Sequence, residues 1–253
     1  MDDTTLMLIA AIVVGFIAQM VDGAMGMAYG VTSNSFLLSL GVSPALASAS
    51  VHAAEVFTTG VSGISHWRLG NVNRDLFQRL LIPGVIGGVI GAYLLTEVPS
   101  DIIKPLVSLY LLLMGARIIY KALRKDEGSE RTPPLIPLGF VGGLLDAIGG
   151  GGWGPVVTTT LVANGHTPRF AIGSVNLAEF FVTLAESITF VLTLGAALGN
   201  QLALVAGLIV GGLPAAPLAA VVSRRLAPQK LMLAVGALII FLSIRTLVLA
   251  LGG

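Results

Sequence analysis

Hydrophobic residues run along this chain in blocks too long and too continuous for one face of a soluble helix. Residues 6–21, 25–41, 44–65, 80–96 and 102–123 are apolar, a polar stretch follows at 124–134, and 135–145, 148–164, 168–194, 202–222 and 231–251 are apolar again. Charge marks some boundaries sharply, as where 80–96 lies between Arg79 and Glu97. At about 1.5 Å per residue, some 20 apolar residues cross the roughly 30 Å of bilayer hydrocarbon. The pattern predicts an all-α polytopic membrane protein with about five membrane segments on each side of a linker. The expected units are 1–123, a linker at 124–134, and 135–253.

The two halves are copies. An offset of 124 residues carries Gly15-Phe16 onto Gly139-Phe140, Asp22 onto Asp146, Gly26 onto Gly150, Pro44 onto Pro168 and Glu55 onto Glu179. An internal repeat of this kind decides the fold before any single motif does. The first two segments of each half are short and broken by glycine, at Gly23-Ala24-Met25-Gly26 and at Gly149-Gly150-Gly151-Gly152. Irregular backbone at membrane depth is tolerated only where protein or a water-filled cavity covers it. The breaks are therefore expected as broken or re-entrant helices buried at the centre.

Orientation follows from Lys and Arg in short loops. Arg68, Arg74 and Arg79 follow the third segment of the first half, whereas the matching loop Gly195–Gln201 carries no charge and Arg224, Arg225 and Lys230 lie in the next one. Equivalent loops of opposite character predict halves inserted in opposite orientations, an inverted-topology repeat with the N-terminus outside. Broken helices meeting at the midplane of inverted repeats are a recurring transporter plan.

Composition narrows the class. The 253 residues are 55% hydrophobic and 11% charged, and the net charge is +1, against roughly 25% charged in soluble domains. No basic footprint for nucleic acid is present. No cysteine occurs, which excludes thiolate chemistry and Cys-ligated metals. The acidic start Met1-Asp2-Asp3 is unlike a cleaved signal, so the first segment reads as retained. The expected location is the cell (inner) membrane.

Candidate chemistry lies in the apolar blocks. Glu55 and Glu179 fall near mid-bilayer, where an ionisable side chain is a functional hypothesis by default; the alternative is a hydrogen-bonded carboxyl that pins helices. His52 and Asn176 each precede a glutamate by three residues and share its helix face. Ser50 and Ser174 repeat beside them, as do Thr59 and Thr183. A half-helix starting at a glycine break offers free N–H donors to an anion, although close helix packing uses glycine equally. Asp22 and Asp146 are expected to cap these half-helices. Tyr29 and Trp153 stand at equivalent positions just after the breaks, and Asn34 lies in the polar run that follows the first. Gly23, Met25, Gly26, Tyr29, Asn34, Ser50, His52, Gly149, Gly150, Gly151, Gly152, Trp153, Ser174 and Asn176 are the expected substrate contacts, with Glu55, Glu179, Asp22 and Asp146 coupling or gating. Gln19 and Glu186 have no like-for-like counterpart (Gly143 and Ser62) and mark where the halves differ. Arg117 and Arg245 are expected to snorkel to the membrane surface.

The paired Gly-Phe … Asp … Gly-rich … Gly-x-x-Pro pattern at 15–44 and 139–168 resembles the TauE/SafE family of membrane permeases. Gly70-Asn71-Val72-Asn73 is similar to that family's Gly-Asn-Val-Asp, departing at Asn73. The resemblance implies movement of sulfite or organosulfonates such as sulfoacetate, often outward. It assigns no role to His52 or the glutamates. No cationic side chain occurs before Arg68, nor between Arg131 and Arg169. A central anion would thus rely on N–H groups, hydroxyls and amides, with the glutamates protonated or screened by a cation. The expected function is a secondary transporter of a small sulfur-containing anion, coupled to protons through Glu55 and Glu179 or to sodium. The alternative is a cation or metal transporter using the acidic pair. No nucleophile or complete metal set accompanies His52 and Glu55, so no enzyme, resident metal or cofactor is expected.

Overall fold

The structure is a computed structural model that describes residues 3–123, 132–222 and 228–251. Arg124, Lys125 and the rest of the charged linker to residue 131, together with Arg224 and Arg225, lie outside the described residues. The described elements are α1 (Asp3–Met25), α2 (Tyr29–Ser39), α3 (Pro44–Arg68), α4 (Arg74–Glu97), α5 (Ser100–Leu123), α6 (Leu135–Gly149), a π-turn at Gly154–Thr158 leading into α7 (Thr159–Ala163), α8 (Pro168–Leu194), a 3-10 segment at Gly195–Gln201, α9 (Leu202–Val222) and α10 (Pro228–Leu251). No strand occurs among the described residues. Five stretches are long and apolar enough to cross a membrane: Thr5–Asp22, Arg74–Glu97, Ser100–Leu123, Pro168–Ala216 and Met232–Leu251. The chain is a multi-pass integral membrane protein.

Polarity is arranged inside out relative to a soluble bundle. Aliphatic side chains such as Ile82, Leu113, Leu192 and Val248 cover the outside, while Asp22, His52, Glu55, Asp146, Glu179 and Glu186 are all buried. An apolar exterior suits hydrocarbon, and charges are held where they can be partnered.

Glycine determines which helices approach closely. Gly139 and Gly143 of α6 lie on the backbone of Leu80 and Gly84 in α4, and Gly91 of α4 lies on Leu144. The equivalent pair is built alike, with Gly207 and Gly211 of α9 against Leu8 and Ile12 of α1. In both pairs the contacts ascend together, so the partners run parallel. α3 and α8 run antiparallel, since Gly60 meets Phe180 whereas Gly63 meets Leu177. α5 and α10 are likewise antiparallel, with Gly115 against Ile240 and Gly236 against Ile119.

The breaks fall slightly later than the sequence suggests. α1 continues through Gly23 to Met25 and stops at Gly26, and α6 stops at Gly150; these equivalent glycines have φ of +65° and +63°, a left-handed conformation that ends a helix. Ala28 holds φ +93° where the second copy has Gly152. α2 has 11 residues, about 16 Å of helix, too short to span the roughly 30 Å of hydrocarbon by itself.

Arg117 and Arg245 do more than reach the surface. Arg117 donates to Thr159 Oγ1 at 2.9 Å, and Arg245 donates to the carbonyl of Ser39, the last residue of α2. A cation at a helix C-terminus stabilises its unpaired carbonyls, so Arg245 tethers the first half-helix.

Candidate functional site

The two breaks meet at the centre of the bundle. Gly30 lies against Gly150 and Gly151, and Gly154 lies against Gly26 and Met27. The offset of 124 exchanges these two contacts. Asn34 Nδ2 donates to Gly149 O at 2.5 Å, so this expected substrate contact clamps the opposite break. Ser48 Oγ donates to Ala147 O at 2.6 Å, and Tyr110 OH donates to Gly151 O at 3.3 Å; sequence reasoning singled out neither residue.

Each aspartate serves the half-helix after its own break. Asp146 Oδ1 accepts from the amides of Gly152 at 2.5 Å and Trp153 at 2.9 Å. The carboxyl of Asp22 faces the amide of Tyr29, the position equivalent to Trp153. Amides at the start of a half-helix have no intrahelical partner, and those of Gly152 and Trp153 are buried. Asp146→Ala is therefore expected to cost about 2–4 kcal/mol, since it leaves two buried amide donors without their acceptor. A lower unfolding temperature in detergent, partly restored in Asp146→Asn, is the check.

Tyr29 and Trp153 are fully buried. Each donates to a carbonyl of a neighbouring helix, Tyr29 OH to Leu208 O at 3.3 Å and Trp153 Nε1 to Val175 O at 3.1 Å. Tyr29 borders a central cavity that Trp153 does not. The cavity is lined by Asp22, Tyr29, Glu55, Asp146, Gly151, Gly152 and Glu179, among others, and has room for about one water molecule. Carboxyls from four helices thus converge on one occluded point where both breaks meet. Gly26, Gly149, Gly150 and Met27 form the surrounding backbone shell. Gly23 and Met25 fall in the last turn of α1, and the side chain of Met25 lies outside the described residues.

His52 does not pair with Glu55, as their shared helix face suggested. Its Nε2 lies 2.8 Å from Glu186 Oε2 and 3.6 Å from Asp146 Oδ2. Its other nitrogen, Nδ1, lies 2.7 Å from Ser48 O. Glu186, whose counterpart is Ser62, is thereby placed against His52, whose counterpart is Asn176. The signal available in the sequence was that Glu186 and Glu179 are the only charged residues between Arg169 and Arg224. Asn176 Nδ2 donates to Ser62 Oγ at 2.9 Å rather than into the cavity.

The repeated serines turn elsewhere. Ser50 Oγ donates to Leu46 O of its own helix. Ser174 Oγ accepts from the amide of Asn73 at 2.8 Å and fixes the Gly70-Asn71-Val72-Asn73 loop on α8. Thr59 and Thr183 donate to the carbonyls of Glu55 and Glu179.

Ligand-type atoms of His52, Asp146 and Glu186 lie within 4.8 Å of one another. A tetrahedral ion with ligands at about 2.1 Å holds neighbouring ligand atoms roughly 3.4 Å apart. The 2.8 Å between His52 and Glu186 is shorter than that spacing, so the two side chains would have to move apart to share a metal ion.

The sequence matches the sulfite exporter TauE/SafE family over residues 11–246. It is 44% identical over 243 residues to the probable membrane transporter protein YtnM of Bacillus subtilis (strain 168), covering 93% of this chain and 81% of that protein. It is 27% identical over 194 residues to the probable membrane transporter protein ORF9 of Sinorhizobium sp, covering 76% of this chain and 68% of that protein. No solved structure is significantly similar. Buried carboxyls around a central break, a lipid-facing exterior and these matches agree: the chain is a membrane transporter, not an enzyme, and belongs to the sulfite exporter TauE/SafE family.

Proposed function

We propose that the protein is a secondary transporter of a small sulfur-containing anion, sulfite or a short organosulfonate, coupled to protons through Glu55 and Glu179. The observation that carries this reading is the occluded cavity where the two breaks meet, lined by backbone and by the carboxyls of Asp22, Glu55, Asp146 and Glu179. Half-helix amides beyond those held by Asp22 and Asp146 would supply anion donors there without a cationic side chain. Four ionised carboxylates would repel an anion in so small a space. The anion therefore enters with protons on the glutamates, which couples the two fluxes. The family supports the substrate class.

The halves 1–123 and 135–253 act as inverted repeats about this cavity. Parallel packing of α1 on α9 and of α6 on α4, with antiparallel packing of α3 on α8 and α5 on α10, supports opposite insertion of each equivalent pair. With the Arg68–Arg79 loop cytoplasmic, the N-terminus lies outside a cell (inner) membrane.

A second reading, a cation transporter, draws on the same four carboxyls. Charge selectivity in proteoliposomes separates the two. The anion reading requires flux that saturates with the anion and ignores the identity of the accompanying cation. Flux that follows cation concentration and ignores the anion would replace it with the second.

A further inference from the structure

The crossing of α3 and α8 presents the same two positions twice. His52 meets Glu186 on one side of it, and Ser62 meets Asn176 on the other. The offset of 124 carries one pair onto the other, 52 to 176 and 62 to 186. Ten residues along each helix separate the pairs, about 15 Å, so they occupy opposite sides of the crossing. One crossing point is ionisable and its counterpart is neutral.

Hydrogen-bond partners fix the protons at the ionisable one. The Ser48 hydroxyl donates to Ala147 O, so it has no proton for His52. Ser48 O can only accept, and it lies 2.7 Å from Nδ1. Nδ1 therefore carries a hydrogen and donates it. Nε2 then lies 2.8 Å from Glu186 Oε2, too close for two bare acceptors, so one further proton belongs to the pair, on the ring or on the carboxyl. Without it, a nitrogen lone pair and a carboxylate would be opposed in a buried site, with Asp146 Oδ2 at 3.6 Å adding a second negative group. That contact is repulsive at low dielectric, and the helices must part or admit water. The Asn176–Ser62 bond has its donor at every pH and does not change.

The geometry points to His52–Glu186 as the single proton-binding gate of the transporter, set on one side of the α3–α8 crossing, with Asn176–Ser62 as its uncharged counterpart. This rests on the proton-coupled reading above and assigns the coupling proton a first station. The groups that act on it are Asp146 from α6, Glu55 on α3 and Glu179 on α8, with Asp22 at the end of α1 acting on Asp146 and the two glutamates; α4 presents Gly88 to Glu186. Asp146 also lines the central cavity, so one carboxyl separates the gate from Glu55 and Glu179. A proton arriving from the aqueous side would bind the opened His52–Glu186 pair, close the crossing, and pass by way of Asp146 Oδ2 to a cavity glutamate. It leaves to the opposite aqueous side when the cavity opens there.

The proton site is tested without reference to substrate. The protein has three histidines, so His66→Gln with His166→Gln leaves His52 as the only imidazole for nitrogen-15 NMR in lipid. Glu186→Gln is expected to move both ring-nitrogen resonances and their pH dependence, while Ser62→Ala moves neither. Unmoved resonances in Glu186→Gln would overturn the assignment. In proteoliposomes a one-unit pH gradient driving one proton per sulfite gives about tenfold accumulation. His52→Asn with Glu186→Ser copies the neutral crossing and is expected to remove that accumulation while still exchanging labelled for unlabelled sulfite. Glu186→Gln, nearly isosteric, serves if the double variant does not fold. Retained accumulation would overturn the gate. Absence of sulfite flux in the unmodified protein would overturn the anion reading instead and leave the nitrogen spectra to decide the proton site.

Discussion

Glu55→Gln combined with Glu179→Gln is expected to abolish the response of transport to a pH gradient and to slow it by about 10- to 100-fold. That is the range of a coupling free energy of roughly 1–3 kcal/mol. The two carboxyls face the same occluded cavity from equivalent helices, and glutamine preserves volume and hydrogen bonding while removing the exchangeable charge. Each single variant is expected to keep part of the response, because the other glutamate can still take the proton. Initial rates at several external pH values measure the effect. An unchanged rate and pH profile in the double variant would remove the glutamates from the mechanism.

The second large effect is structural. Gly151→Ala is expected to prevent assembly of the centre. Gly151 has φ +141°, and a Cβ there would fall on the backbone of Gly30 and Val31. Backbone strain of about 1–3 kcal/mol adds to a clash between two main chains, neither of which can rotate away. Together these approach the whole stability of a typical domain, about 5–15 kcal/mol. The protein should lose its monodisperse peak on size exclusion in mild detergent. Gly199→Ala, where nothing lies near the added methyl, should behave like the unmodified protein. A folded and active Gly151→Ala would mean that the two breaks need not touch.

These two residues also show what a sequence can and cannot convey. Gly151 and Glu179 were legible because the duplication marks them, and because glycine and carboxylate are costly in an apolar block unless used. The repeat likewise exposed Asp146 as a cap, since an aspartate preceding a glycine break has a local job. Helix neighbours were not legible. His52 and Glu55 share a face by spacing, yet the ring reaches across to Glu186, because side-chain partners across a helix crossing depend on which helices pack and in what direction. Ser174 looked like a cavity residue by its repeat, but the α3–α4 loop folds onto it, and no periodicity in the chain encodes that loop's path. Tyr110 and Ser48 were invisible for the same reason: each bonds a carbonyl of a break far away in sequence. The break position shifted by a few residues because Gly23 is tolerated inside a helix, whereas Gly26 adopts the left-handed turn.

The most direct test of the account is flux of sulfite and of sulfoacetate into proteoliposomes, with and without an imposed pH gradient. The account predicts saturable flux of at least one of these anions that responds to the gradient. Flux of neither, with the protein demonstrably folded and inserted, would contradict the anion–proton reading and turn attention to cations at the four central carboxyls.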